Sequence, residues 1–201
     1  MRLLLATHNA HKLAEIRAIL ATADLGGVEV VGLEAFPDLP EAPETQATFE
    51  GNALQKARFA AARTGLVCVA DDSGLEVDAL DGAPGVRSKR FSPQATADAN
   101  NALLLERLGD RSDRTGRFVC ALAVVHGDAT AVTRGTCEGV IARAGRGDGG
   151  FGYDPLFLPD DAPGRAMAEL SAAEKNAISH RGHAVRQLPQ LLAEVGCLPR
   201  G

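Results

Sequence analysis

Two carboxylates stand side by side in Asp71-Asp72-Ser73-Gly74, directly after the apolar run Leu66 to Ala70. In open α/β sheets the carboxyl ends of strands are where ligands gather. Adjacent acids placed there need a cation to offset them. Mg²⁺ suits the task, because it takes a few carboxylates and fills its other positions with water and substrate phosphates. Neighbours on an extended chain point to opposite faces, so only one of the pair need face a metal. D-D-S-G is also good turn chemistry, and the motif alone is read either way. The loop Glu41 to Glu50 offers a further metal carboxylate, Glu44 foremost, although a solvated acidic loop is the plainer reading of any single residue there.

Three more segments carry usable groups. Thr7-His8-Asn9-Ala10-His11-Lys12 sits at a strand-to-helix turn, where free amides and the positive end of a helix dipole suit a phosphate. It lacks the glycines of a Walker A loop, and a plain Asn9 helix cap with a solvated Lys12 also accounts for it. Gly149-Gly150-Phe151-Gly152-Tyr153-Asp154-Pro155 combines close backbone approach with two aromatic rings. In a chain with eight aromatics, that placement suggests a platform for a base, since stacking is worth ~1–3 kcal/mol. A β-turn whose rings fill the core is the alternative. Ser171 to Arg181 supplies Lys175, one of four lysines, and His180-Arg181 at a helix start. The pair His180 and His183 has no further ligand cluster to make a zinc site.

The elements that must position these groups follow from periodicity. Arg2 to Thr7 reads as a buried strand, and a helix opens at Asn9 and ends at Gly26-Gly27. Val28 to Leu33 is a second strand, Phe36 to Thr48 a loop, and Thr48 to Arg63 a second amphipathic helix. The all-apolar Leu66 to Ala70 is a strand covered on both faces, ending at the two acids. A separate strand follows over Leu75 to Leu80, then a helix over Thr96 to Leu108. Arg117 to His126 and Ala129 to Glu138 form a hairpin about Gly127-Asp128. Helices are predicted over Ser171 to Asn176 and Ser179 to Val195. The class is α/β with a mixed sheet, read as a single domain over residues 1–201.

Composition narrows the function. The chain has 201 residues, and 26 acidic against 21 basic residues give a formal net charge of -5. That excess argues against a nucleic-acid groove or a polybasic membrane surface. Cys68, Cys120, Cys137 and Cys197 form no C-x-x-C pair, so neither a disulfide framework nor a zinc cluster is expected. The apolar start halts at His8-Asn9, and no apolar run reaches the ~20 residues of a spanning helix. A cytoplasmic protein is the expectation.

Six blocks together resemble the inosine triphosphate pyrophosphatase family: A-T-H-N-A-H-K (6–12), T-F-E-G-N-A-L-Q-K-A (48–57), A-D-D-S-G-L-E-V (70–77), G-A-P-G-V-R-S (82–88), G-G-F-G-Y-D-P-L-F (149–157) and E-K-N-A-I-S-H-R-G (174–182). The resemblance implies an elongated mixed β-sheet flanked by helices, two lobes with a central active-site cleft, and a homodimer. It implies Mg²⁺-dependent hydrolysis of dITP, ITP and XTP to the monophosphate and pyrophosphate. By matching position, Thr7, His8, Asn9, Ala10, His11 and Lys12 contact the triphosphate. Asp72 is the metal ligand and proton acceptor, and Ser73 contacts substrate. Phe151, Gly152, Tyr153, Asp154, Lys175, His180 and Arg181 complete the nucleotide pocket. Two positions depart from the pattern. Pro43-Glu44 stands where the family often has two glutamates, leaving Glu44 or Glu41 as the second metal ligand. Arg87 stands where an aromatic is common.

Overall fold

The computed structural model describes residues 1–21 and 27–199. Among these, six strands form one mixed sheet in the order β2-β1-β3-β4-β5-β6. The strands are β1 (Arg2–Leu5), β2 (Glu29–Gly32), β3 (Val67–Val77), β4 (Thr115–His126), β5 (Ala129–Ile141) and β6 (Phe157–Pro159). β1 runs parallel to both β2 and β3, whereas β5 and β6 are antiparallel. The helices are α1 (Ala10–Leu20), α2 (Phe49–Thr64), α3 (Ala97–Leu108), α4 (Ala172–Ile178), α5 (His180–Val185) and α6 (Leu188–Glu194). The expected α/β class with a mixed sheet is observed.

The chain divides into two compact units. The first holds Met1–Asp72, Cys120–Gly135 and Arg181–Gly201, and the second Ser73–Val119 and Thr136–His180. In the first unit, Leu3 and Leu5 of β1 pack with Ile16 of α1, Val69 of β3, Leu122 of β4 and Leu188 of α6. Leu4 turns the other way, onto Cys68, Leu33 and Ala60. Both faces of the parallel strands are therefore covered, which explains their unbroken apolar sequence. The second unit builds its core from Leu75, Val77, Leu104, Phe118, Ile141, Tyr153 and Phe157.

Helix starts follow the capping residues. Oδ1 of Asn9 accepts from the amides of His11 and Lys12. Thr48 caps α2 through the Gly51 amide, and Thr96 caps α3 through the Ala99 amide. These contacts satisfy amides that have no intrahelical partner. The expected C-terminal stop of α1 at Gly26-Gly27 is replaced by a cap at Ala21, and Gly26 lies outside the described residues.

Two expectations about elements are corrected. Asp71-Asp72-Ser73-Gly74 does not end a strand; β3 runs straight through it for 11 residues. Gly74 is required in that run, because a Cβ there would come 2.4 Å from Ser88 Oγ and 2.7 Å from the Gly85 carbonyl oxygen. Ser88 Oγ also accepts from the Leu75 amide at 2.9 Å, which holds the Gly85 to Arg90 3-10 segment against the strand. The single helix expected over Ser179 to Val195 is instead α5 and α6, broken at Arg186-Gln187. Pro189 falls in the first turn of α6. In a continuous helix its ring would meet the Val185 carbonyl and its missing N–H would cost a bond.

Candidate active site

The two adjacent acids point to opposite sides of β3, and each meets its own set of cations. Asp71 is 2 % exposed. Its carboxylate lies 2.8 Å from the Lys12 ammonium and 3.7 Å from the Arg181 guanidinium. Arg181, itself 1 % exposed, also donates to Glu15 of α1. Lys12 and Glu15 are three apart on α1 and so share a face. Burial alone would raise the Asp71 carboxyl, but Lys12, Arg181 and Lys56 outweigh it and hold it well below the usual carboxylate range. Burial likewise works against the Arg181 charge, and Asp71, Cys120 and Glu15 reverse that.

Asp72 turns to α2. Its Oδ1 accepts from Lys56 Nζ at 3.0 Å and its Oδ2 from Asn52 Nδ2 at 3.1 Å. Asn52 and Lys56 are one turn apart, so both reach the same carboxylate. Their neighbours Ala53, Ala57 and Ala60 are buried, and these small side chains let α2 lie close. Lys56 Nζ also donates to Glu44 Oε1 at 2.9 Å. The Asp72 carboxyl is raised, because burial outweighs Lys56, Lys12 and the bond from Asn52. Lys56 is raised as well: burial opposes its charge, and Asp71, Asp72 and Glu44 more than compensate.

These charges draw the first unit's candidates together: Lys12, Asp72, Glu44 and Arg181. Thr7 and Asn9 are part-buried beside them in the chain, with the Asn9 amide on Thr7 Oγ1 at 3.2 Å. His8, Ala10 and His11 are exposed, and the His11 and Lys12 amides read as phosphate donors are taken up by Asn9. It is Glu44, not the exposed Glu41, that meets Lys56. The sequence reading missed Lys56 and Asn52. The available signals were a scarce lysine and an asparagine at helical spacing in one of the six blocks.

The second unit holds the remaining candidates. Asp154 Oδ2 accepts from the Phe151 amide at 2.8 Å and from Lys175 Nζ at 2.6 Å. Asp154 and Lys175 are both buried, and the ammonium lies 4.8 Å from the centre of the Phe151 ring. A Cβ on Gly150, at φ +69, would fall 2.0 Å from Asp154 Oδ2, so glycine is needed there. Asn101 Nδ2 donates to the Gly152 carbonyl at 3.0 Å. Tyr153 is 6 % exposed and its hydroxyl donates to the Ser88 carbonyl at 2.9 Å. Of the two rings read as a platform, Phe151 alone is part-exposed. His180 stacks on Phe118 at 4.8 Å, and Ser73 is part-exposed on β3. Lys175 is carried by α4, whose start is fixed by a reciprocal cap of Ser171 and Glu174. Arg165 pairs with Glu174 and, with Ser171, holds its carboxyl down at about 2.

With that geometry in place, comparison with known proteins gives the family. The Ham1 family profile matches residues 3–191. The chain belongs to the Ham1 family. Its relatives include a protein named dITP/XTP pyrophosphatase from Nocardia farcinica, 57 % identical over 196 residues, covering 96 % of this chain and 95 % of the relative. A protein of the same name from Mycolicibacterium paratuberculosis is 56 % identical over 189 residues, covering 92 % and 93 %. Among solved structures, a HAM1 protein from Coxiella burnetii superposes with a TM-score of 0.84 at 42 % identity, covering 96 % of this chain and 99 % of that one.

Two outcomes test the electrostatics. Asp71→Asn leaves the part-buried Lys12 without its carboxylate and the buried Arg181 with Glu15 alone, and is expected to cost about 3–5 kcal/mol in denaturant unfolding; a loss under 1 kcal/mol would contradict it. Glu174 titrates lower in the folded protein than its ordinary 4.5. Its contribution is therefore full above 4.5 and fades as pH falls towards 2. Glu174→Gln should melt below wild type at neutral pH, with a gap that narrows steadily below pH 4.5.

Proposed function

We propose that this chain is a nucleoside triphosphate pyrophosphohydrolase, acting with Mg²⁺ on dITP, XTP and ITP to release the monophosphate and pyrophosphate. The names of its relatives support the dITP/XTP class. The observation that carries the proposal is the convergence of Glu44 and Asp72 on one positive charge, the Lys56 ammonium. That ammonium stands in for a cation, and its two partners are the hard oxygen donors Mg²⁺ prefers. Among the described residues, no group of three or more His, Cys, Asp and Glu forms a metal cage. Two carboxylates with water and substrate phosphates completing the shell fit that donor set. When bound, Mg²⁺ would neutralise phosphate charge and acidify water.

The chain's own residues supply the rest. Asp72 orients the attacking water and accepts its proton. Asn52 holds Asp72 Oδ2, which fixes the direction of the carboxylate. Lys12 is a charge already in place to stabilise developing negative charge on phosphate oxygens. In the second unit, Asp154 already compensates Lys175, so that pair shapes the Phe151 loop. Phe151 is assigned to the base. Separating a 6-oxo from a 6-amino purine needs donors that the wrong base leaves unpaired, and His180 is the candidate there. The family resemblance extends the reading to a homodimeric, cytoplasmic enzyme.

Turnover of ITP, XTP, dITP, ATP and GTP side by side, with products resolved by chromatography, tests this. The expected result is pyrophosphate and monophosphate from the first three, dependent on Mg²⁺. Orthophosphate with a diphosphate, or equal turnover of ATP, would overturn it. Asp72→Asn should lower kcat about 10²–10⁴-fold with the melting temperature little changed.

A further inference from the structure

The ammonium between Glu44 and Asp72 does more than balance charge. Lys56 Nζ sits 2.9 Å from Glu44 Oε1 and 3.0 Å from Asp72 Oδ1, with its side chain 13 % exposed. We infer that Lys56 is the resident counter-ion of this pair, and that a divalent metal gains the two carboxylates only by displacing it. The inference rests on the assignment of Glu44 and Asp72 as metal ligands.

Three observations carry it. First, the oxygens are shared. Mg²⁺ binds oxygen at about 2.0–2.1 Å, roughly 1 Å shorter than the ammonium contacts. A metal seated between these two oxygens would take the position of the ammonium, and two cations in one partly buried space repel. Second, the lysine can leave. Its charge rides on a flexible four-carbon stem, with no planar fork to lock it in place. Third, the carboxylates stay when it goes. Asn52 keeps its bond to Asp72 Oδ2, and its own Oδ1 accepts the Gln46 amide at 2.9 Å. Gln55 accepts the Thr45 amide at 3.1 Å and donates back to Thr45 Oγ1 at 3.0 Å. The segment bearing Glu44 is thus pinned to α2 on its C-terminal side without Lys56. A pocket of two acids is kept assembled, with half its charge offset, before any metal arrives.

The test is calorimetric titration of the nucleotide-free full chain with Mn²⁺, at fixed pH and ionic strength. Wild type, Lys56→Met, Lys56→Gln and Asp72→Asn are compared. Both neutral Lys56 variants should bind Mn²⁺ at least about tenfold more tightly than wild type, as close charge pairs couple by that much or more. Asp72→Asn should lose the binding. If Lys56→Met and Lys56→Gln bind Mn²⁺ no better than wild type while Asp72→Asn still abolishes binding, the inference fails and the metal assignment stands. If Asp72→Asn binds like wild type, the metal assignment fails and takes the inference with it. Should Lys56→Met not fold, as read by circular dichroism, Lys56→Gln decides alone, since it keeps a long, hydrogen-bonding side chain.

Discussion

A single carboxylate sealed inside an apolar strand constrains everything around it. Asp71 loses its hydration on folding, which would cost several kcal/mol if nothing replaced the water. Two cations replace it, Lys12 from α1 and Arg181 from α5. Arg181 is equally buried and therefore needs Glu15 in turn. The result is an alternating row of four charges that ties the first helix and the fifth to the third strand. Each charge in the row is offset by the next.

The neighbouring residue inherits its setting from that arrangement. A strand's alternation sends Asp72 to the other face, where α2 meets it with Asn52 and Lys56. One dipeptide thus serves two ends. Asp71 is pulled down by its cations and stays charged as part of the framework, while the Asp72 carboxyl is raised by burial. Equal residue types acquire unequal chemistry from what faces them.

Much of this was legible in the residues alone. The starts of α1, α2 and α3 follow Asn9, Thr48 and Thr96, because capping is a local interaction. The alternation at Asp71-Asp72 also follows from local geometry. What escaped depends on distant partners. Asp71 and Asp72 read as the end of a strand, because Lys12, Lys56 and Arg181, the cations that offset them within a continuous β3, lie up to 110 residues away. Lys56 and Asn52 were visible only as residues on a helix face, since nothing nearby says which strand that face meets. Tyr153 read either as part of a base platform or as a ring filling the core, and it is the second, packed with Leu75, Phe118 and Phe157 of the second core. Pro189 is different: its effect is local, and the apolar periodicity running across it hid the break.

Tyr153 has one more consequence. The chain contains no tryptophan and no other tyrosine. Beyond the shorter-wavelength bands of its seven phenylalanines, its near-ultraviolet emission and circular dichroism therefore come from one phenol, buried and bonded to the Ser88 carbonyl. The protein carries its own optical reporter. Any event that loosens the glycine-rich loop or breaks that bond registers in a signal undiluted by other chromophores of its kind, with no label attached.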